Sequence, residues 1–251
     1  MNYLISDIIA ITKRNLLKYK RLPQLLIFST IQPIMFVLLF SYVFGGAIKI
    51  PGVSYLNYLL PGIVIQAVIF GSVQTGVGLA EDVSHGMIDR FRSLPMARSA
   101  VLAGRTLADT CRNIFVVLLM AGVGWLIGFR IENGFWNAIA ALGLAVLFGH
   151  AFSWISATIG LFVKNAETAQ VAGFIWVFPL VFASSIFVPV KTMPAALEAF
   201  AKISPITAIV DTIRGLILGG EIQDSLMMSL TWIFGILFIF IPLAVSKYRR
   251  T

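Results

Sequence analysis

Six stretches of this chain run without a single Asp, Glu, Lys or Arg: residues 22–48, 50–80, 113–129, 133–163, 168–190 and 225–246. A helix needs about 20 apolar residues to cross the hydrocarbon core of a bilayer. Five of the stretches reach that length, and the third, at seventeen residues, borrows from the Ala108–Arg112 side. With 59% hydrophobic and 12% charged residues, and a mean hydropathy of +0.92, the chain has too little polar surface for a soluble domain, which carries about 25% charge. The expected fold is an all-α polytopic membrane protein. It has a segment 1–21 outside the spans and one six-span domain over 22–251.

Basic residues orient the spans. With the N-terminus in the cytoplasm, the inner side holds Lys13, Arg14, Lys18, Lys20, Arg21, Arg90, Arg92, Arg98, Arg105, Arg112, Lys164, Lys247, Arg249 and Arg250. The outer side keeps Lys49, Arg130, Lys191, Lys202 and Arg214. Fourteen of nineteen basic residues inside is the bias expected of cytoplasmic loops. The net charge of +8 is read the same way, not as a nucleic-acid surface. Six spans return the C-terminus to the cytoplasm, in a multi-pass protein of the cell (inner) membrane. The single Cys111 permits no internal disulfide. No small-residue cleavage site follows the first apolar stretch, so that stretch is expected to be retained.

Residues 1–21 read as an amphipathic helix lying in the cytoplasmic interface. Leu4, Ile5, Ile8, Ile9, Ile11, Leu16 and Tyr19 share one face of the wheel; Asp7, Lys13, Arg14, Lys18, Lys20 and Arg21 share the other. Thr12, Asn15 and Leu17 fit neither. A basic flank that only orients the first span is the competing reading. Inside the spans, Pro33, Pro61, Pro179 and Pro242 are expected to bend or end helices. Gly71, Ser72, Gly76 and Gly78 give the second span a small-residue side for close helix contact.

Residues 192–220 are too polar to span and too apolar for a simple loop. Thr192 can cap one short helix, through about Lys202. Ser204-Pro205 starts another, which Gly219-Gly220 stops. Asp211 and Arg214, three apart, can pair. Two short helices that dip into the outer leaflet and return fit this pattern, and so does a hairpin lying flat on the membrane.

The chain has no phosphate-binding G-x-x-x-x-G-K-[ST] loop and no metal-ligand motif. No cofactor or metal is therefore expected in it, and no catalytic residue is assigned. His150, with Ser153 three residues on, invites a membrane-enzyme reading, but no G-x-S-x-G elbow supplies a nucleophile. Coupled carriers keep ionisable groups inside the bilayer. The polar residues in these runs are few and hold no carboxylate, Lys or Arg, so Gln32, Gln66 and Gln74 are the candidate path-lining groups. If the protein moves a solute, its energy enters from outside the membrane.

One charged patch, residues 81–95, interrupts the apolar runs. Val83, Met87 and Phe91 recur every fourth residue, and Glu81, Asp82, Ile88, Asp89, Arg90 and Arg92 accompany them. Leu94-Pro95 is expected to end this helix, and Gly86 to weaken its middle. A short cytoplasmic helix showing Met and Phe has reason to dock in a partner's groove. Arg105, Asp109 and Arg112 line one side of the next helix at ion-pair spacing.

Nearly the whole chain resembles the membrane subunit of type-two ATP-binding-cassette exporters, the family that includes daunorubicin-resistance permeases. The resemblance lies in the interfacial N-terminal helix, in "EDVSHGMIDRFRSLPMARSAVLAGRTLAD", in "FPLVFASSIFVPVKTMP" and in "ISPITAIVDTIRGLILGG". It implies that Glu81–Leu94 is a coupling helix touching an ATPase subunit, and that Met193–Leu218 forms outer re-entrant helices. Ser204, Pro205, Asp211 and Arg214 would then belong to an outer gate. The working unit would hold two permeases, identical or paralogous, and two ATPases that carry the ATP and Mg, all amid membrane lipid and without nucleic acid. The expected activity is ATP-driven export of a hydrophobic or amphipathic compound, drug-like or lipid. A polysaccharide or haem exporter permease shares the architecture. A protein-translocase assembly subunit and a His150 enzyme are rivals of other classes.

Overall fold

The computed structural model describes residues 2–48, 50–93 and 96–250, without the side chains of residues 2, 3, 25, 28, 89, 92, 98 and 250. The helix stop expected at Leu94-Pro95 falls outside the described residues. The chain forms α1 (Asn2–Arg21), α2 (Gln24–Phe44), α3 (Tyr55–Ser84), α4 (Met87–Ser93), α5 (Arg98–Leu126), α6 (Phe135–Phe162), α7 (Ala166–Phe182), α8 (Ala195–Ile203), α9 (Pro205–Leu218) and α10 (Gln223–Arg250). Among the described residues there is no β-strand, only an isolated bridge between Ile50 and Val53.

Four helices, α3, α5, α6 and α10, are long and apolar enough to cross a membrane; the apolar parts of α2 and α7, Ser29–Phe44 and Ala166–Phe182, are shorter. The six uncharged runs are thus unequal as helices. The fifth run loses its last residues because α7 ends at Phe182, one turn after Pro179. The third run gains at its start, because α5 runs unbroken through Arg105, Asp109 and Arg112.

Helix α3 is the centre of the bundle. Its most apolar window is 78% buried, against 22% for α10 at the rim. In a bilayer, lipid tails are as apolar as leucine, so helices associate through close packing rather than water exclusion. Gly76 of α3 meets Gly160 of α6 backbone to backbone, where a Cβ on either would overlap the facing carbonyl oxygen. Ile63, Ile69, Phe148, Phe152 and Ile209 belong to the apolar core of the bundle.

Helix α1 packs against α5 on a mixed face. Ile11 and Asn15 are buried, and the Thr12 hydroxyl donates to Ile8 O and to Gly104 O at 3.1 Å. Thr12 and Asn15, which fit neither face of the sequence wheel, thus belong to the protein-facing side. Ile5 and Ile9 stay 64% and 61% exposed, forming a second, apolar face. The two faces explain why a simple two-sided wheel leaves misfits.

At the other end of α3, Thr192 closes a turn through its hydroxyl on Pro189 O instead of capping α8, whose N-cap is Pro194. Helix α9 begins as expected: Ser204 accepts from Ile206 N, Pro205 takes the first position, and Gly219, at φ +89°, stops it. Ile206, Ile209, Val210 and Ile213 are all buried in the core that α3 and α6 line.

Candidate functional site

The charged patch does not form one continuous stripe. Helix α3 ends at Ser84, Gly86 turns the chain at φ +66°, and α4 starts at Met87. Val83 and Met87 therefore stand on different helices. Glu81 and Asp82 face α1: Lys18 Nζ lies 3.0 Å from Glu81, and Arg14 Nη2 lies 2.7 Å from Asp82. Ile88 is buried in a small cluster with Leu79 and Tyr248 of α10, and Val83 and Phe91 pack on it half-buried. The Arg14 guanidinium covers the Phe91 ring at 5.0 Å. Ser84, His85, Arg90 and Ser93 are exposed, with Met87 half-buried beside them. The side chains of Asp89 and Arg92 lie outside the described residues. The outward surface of α4 is therefore its Met87–Arg90 side, while its Phe91 side holds it to the bundle.

Close to α4 lies a cavity of about 590 Å3, bordered by α1, α2, α3, α5 and α7. All three candidate glutamines, Gln32, Gln66 and Gln74, line it. So does Gln170 of α7, a fourth glutamine that the sequence reading passed over although it sits in an uncharged run. Phe36, Phe70 and Phe174 supply apolar wall.

Arg105 and Arg112, which the basic-residue bias assigns to the cytoplasmic side, also border the cavity. They are 9% and 4% exposed. Of the ion pairs their spacing allows with Asp109, the one to Arg112 forms, while Arg105 turns to another helix. Arg105 reaches Asp82 at 3.5 Å and Gln74 O at 3.4 Å. Arg112 stands 3.9 Å from Asp109 and donates to Asn113 Oδ1 at 3.1 Å. Asp109 also accepts from Tyr19 at 2.8 Å and from Thr75. Burial, and after it the Asp109 carboxylate, pushes the Tyr19 phenol up to about 12, so it stays a donor at any physiological pH.

At the far end of α3, Arg214 is enclosed. Nε donates to Tyr58 O at 2.8 Å, Nη1 to Asp211 at 3.0 Å and Ser185 Oγ at 3.2 Å, and Nη2 to Ser185 O at 2.7 Å and Ile186 O at 3.0 Å. All five guanidinium donors are thereby matched. The group also lies 3.5 Å above the Tyr58 ring. The Asp211–Arg214 pair expected from spacing is present, but the carbonyls of the α7–α8 connection supply more of the binding. Ser204 and Pro205 cap the same helix and are buried.

His150 offers no catalytic geometry. Trp154 Nε1, a donor only, gives its hydrogen to His150 Nε2 at 3.2 Å, so the ring proton sits on Nδ1 and faces Thr110 Oγ1 at 2.8 Å. The Ser153 hydroxyl donates to the carbonyls of Gly149 and His150, not to the ring. Both ring nitrogens are thus occupied, Nδ1 by a bond to α5 and Nε2 by the next turn of α6.

The model of a family described as "ABC-2 type transporter" matches residues 6–218 of the chain. The "Daunorubicin resistance ABC transporter permease protein" of Streptomyces coeruleorubidus is 34% identical over 237 residues, covering 94% of this chain and 84% of that protein. The "Probable doxorubicin resistance ABC transporter permease protein" of Mycobacterium tuberculosis is 29% identical over 242 residues, covering 95% of this chain and 87% of that protein.

Proposed function

Because the chain belongs to the ABC-2 type transporter family, we propose that it is the membrane permease of an ATP-driven exporter whose ATPase is a separate chain. Two copies, or this chain with a paralogue, form the membrane unit in the cell membrane, with both termini in the cytoplasm. Helices α2, α3, α5, α6, α7 and α10 are its six spans; at 21 residues, α2 is long enough to cross. Burial of α9 in the core supports the re-entrant reading of α8 and α9 over a flat hairpin. The drug-resistance names of the relatives, and a cavity walled by amides and phenylalanines, support a drug-like or lipid-like amphipathic cargo.

The observation that carries the mechanism is the tie between α4 and the cavity. Glu81 borders the cavity, and with Asp82 it holds α1 one turn before α4 begins. A push on α4 by an ATPase therefore reaches α1, α3 and Arg105 directly. In this mechanism the ATPase closes on ATP, α4 moves with it, and the cavity wall shifts. Arg214 pins α9 to α3 and to the α7–α8 connection at the opposite end, where cargo would leave.

The test is co-purification with a candidate ABC ATPase co-expressed with this chain. Met87→Asp with Arg90→Glu, both on the outward side of α4, should cut ATPase recovery severalfold at equal membrane insertion. Equal recovery with both permeases would remove α4 from the coupling role.

A further inference from the structure

The cavity wall carries more positive charge than it neutralises. Lys18, Arg105 and Arg112 border it; Lys18 is held by Glu81 at 3.0 Å, Arg105 shares Asp82 with Arg14, and Arg112 stands 3.9 Å from Asp109, so four basic groups meet three carboxylates. Arg105 and Arg112 lie seven residues apart on α5, and Gly78 and Gly71 lie seven apart on α3. A Cβ on Gly78 would overlap Arg105 Nη2, and a Cβ on Gly71 would sit 2.6 Å from Arg112 Nη2. The missing side chains let both guanidinia pass the backbone of α3 at the cavity wall.

Arg112 is the less satisfied of the two. Asp109 stands 3.9 Å away, with its oxygens already accepting from Tyr19 and Thr75. Arg112 Nε has no hydrogen-bond partner among the described residues, and neither has Gln66 Oε1 on the same wall. A buried guanidinium left short of acceptors is costly, and a planar carboxylate or a phosphate is the group its donor fork matches.

We propose that this cavity binds an amphiphile with an acidic head, a carboxylate or a phosphate. The head meets Arg112 and Arg105, and the apolar body lies along Phe70 and Phe174. The proposal rests on the exporter reading only in calling this ligand the cargo. A bilayer's own anionic lipid and a free acidic compound present the same chemistry.

The experiment uses the full chain in nanodiscs of zwitterionic phosphatidylcholine, without ATPase or ATP, with empty nanodiscs subtracted. The probes are decyl phosphate and decyltrimethylammonium. Wild type should bind the phosphate at least tenfold more tightly than the cation. Arg112→Gln should remove that preference, and so should Gly71→Ala, which keeps every charge but displaces the guanidinium. Adding phosphatidylglycerol at constant total lipid separates the sources. A rise in the apparent Kd for decyl phosphate, seen in wild type only, assigns bilayer lipid; an unchanged Kd assigns the free amphiphile. Equal binding of both probes by wild type overturns the proposal without any variant having to fold, and so does a preference that survives both substitutions. Either failure leaves ATP-driven transport untouched, while loss of transport with binding intact would count against the exporter reading alone.

Discussion

Arg214 shows how much of a site local spacing can reveal. Its pairing with Asp211 is readable from two charges three residues apart on a helix. Its carbonyl partners are not, because Tyr58 lies 156 positions away and Ser185 lies 29 away. The same limit hid Arg112, whose accommodation depends on a glycine in another helix. The two members of the Asp211–Arg214 pair differ in burial, with side chains 44% and 9% exposed. Arg214→Ala strips donors from buried carbonyls and leaves Asp211 unpaired, so it should cost about 3–5 kcal/mol, the range for breaking a buried pair. Asp211→Ala should cost at most about 1 kcal/mol, as for exposed pairs. The double variant should match Arg214→Ala alone, read as thermal unfolding of the purified chain. Equal losses from the two single changes would mean that the pair, not the carbonyl cage, holds α9.

Helix α4 is an element that cannot stand alone. At seven residues it is far below the ~12–15 at which an isolated helix becomes even marginal in water. Ile88 in the cluster with Tyr248, and Phe91 under Arg14, supply its order. Its existence was legible in the pattern of residues 81–95. The separate orientation of Val83 and Met87 was not, because Gly86 takes a positive φ rather than merely weakening a helix. A Cβ at Gly86 meets nothing within 4 Å, so Gly86→Ala should act through backbone conformation alone, at about 1–2 kcal/mol. Hydrogen exchange should then speed up at residues 87–93 and stay unchanged at 61–69. Unchanged exchange at 87–93 would mean the turn is not what sets α4. Similarly, α5 was readable only in part. The uncharged run starts after Arg112 and was expected to borrow from Ala108–Arg112, and the helix in fact starts at Arg98. Asp109 accepts from Tyr19 and Thr75, and Arg105 faces Asp82, partners on other helices that spacing does not reveal.

For the whole molecule, the apolar runs made an all-α membrane bundle legible, since only helices and closed barrels satisfy the backbone in lipid and runs this long match a helix, not a strand of about 9–11 residues. They did not show which helix is central. That follows from glycine-to-glycine contact between α3 and α6, visible only in three dimensions. Topology is checked by labelling single cysteines in a Cys111→Ala background. Positions 84–93 and 247–250 should label from the cytoplasm, and positions 131–134 and 219–224 from outside. A C-terminus accessible from outside would require an odd number of spans and would break the proposed arrangement.

The central claim, that this chain is the conduit of an ATP-driven exporter, is tested most directly in inside-out membrane vesicles. The chain is expressed with its ATPase, and accumulation of a fluorescent amphiphile is followed after adding ATP and Mg. Uptake should require both chains and ATP, should survive collapse of the proton gradient, and should be lost in Met87→Asp/Arg90→Glu at unchanged permease abundance. Uptake that proceeds without this chain, or that a proton gradient drives without ATP, would contradict the account.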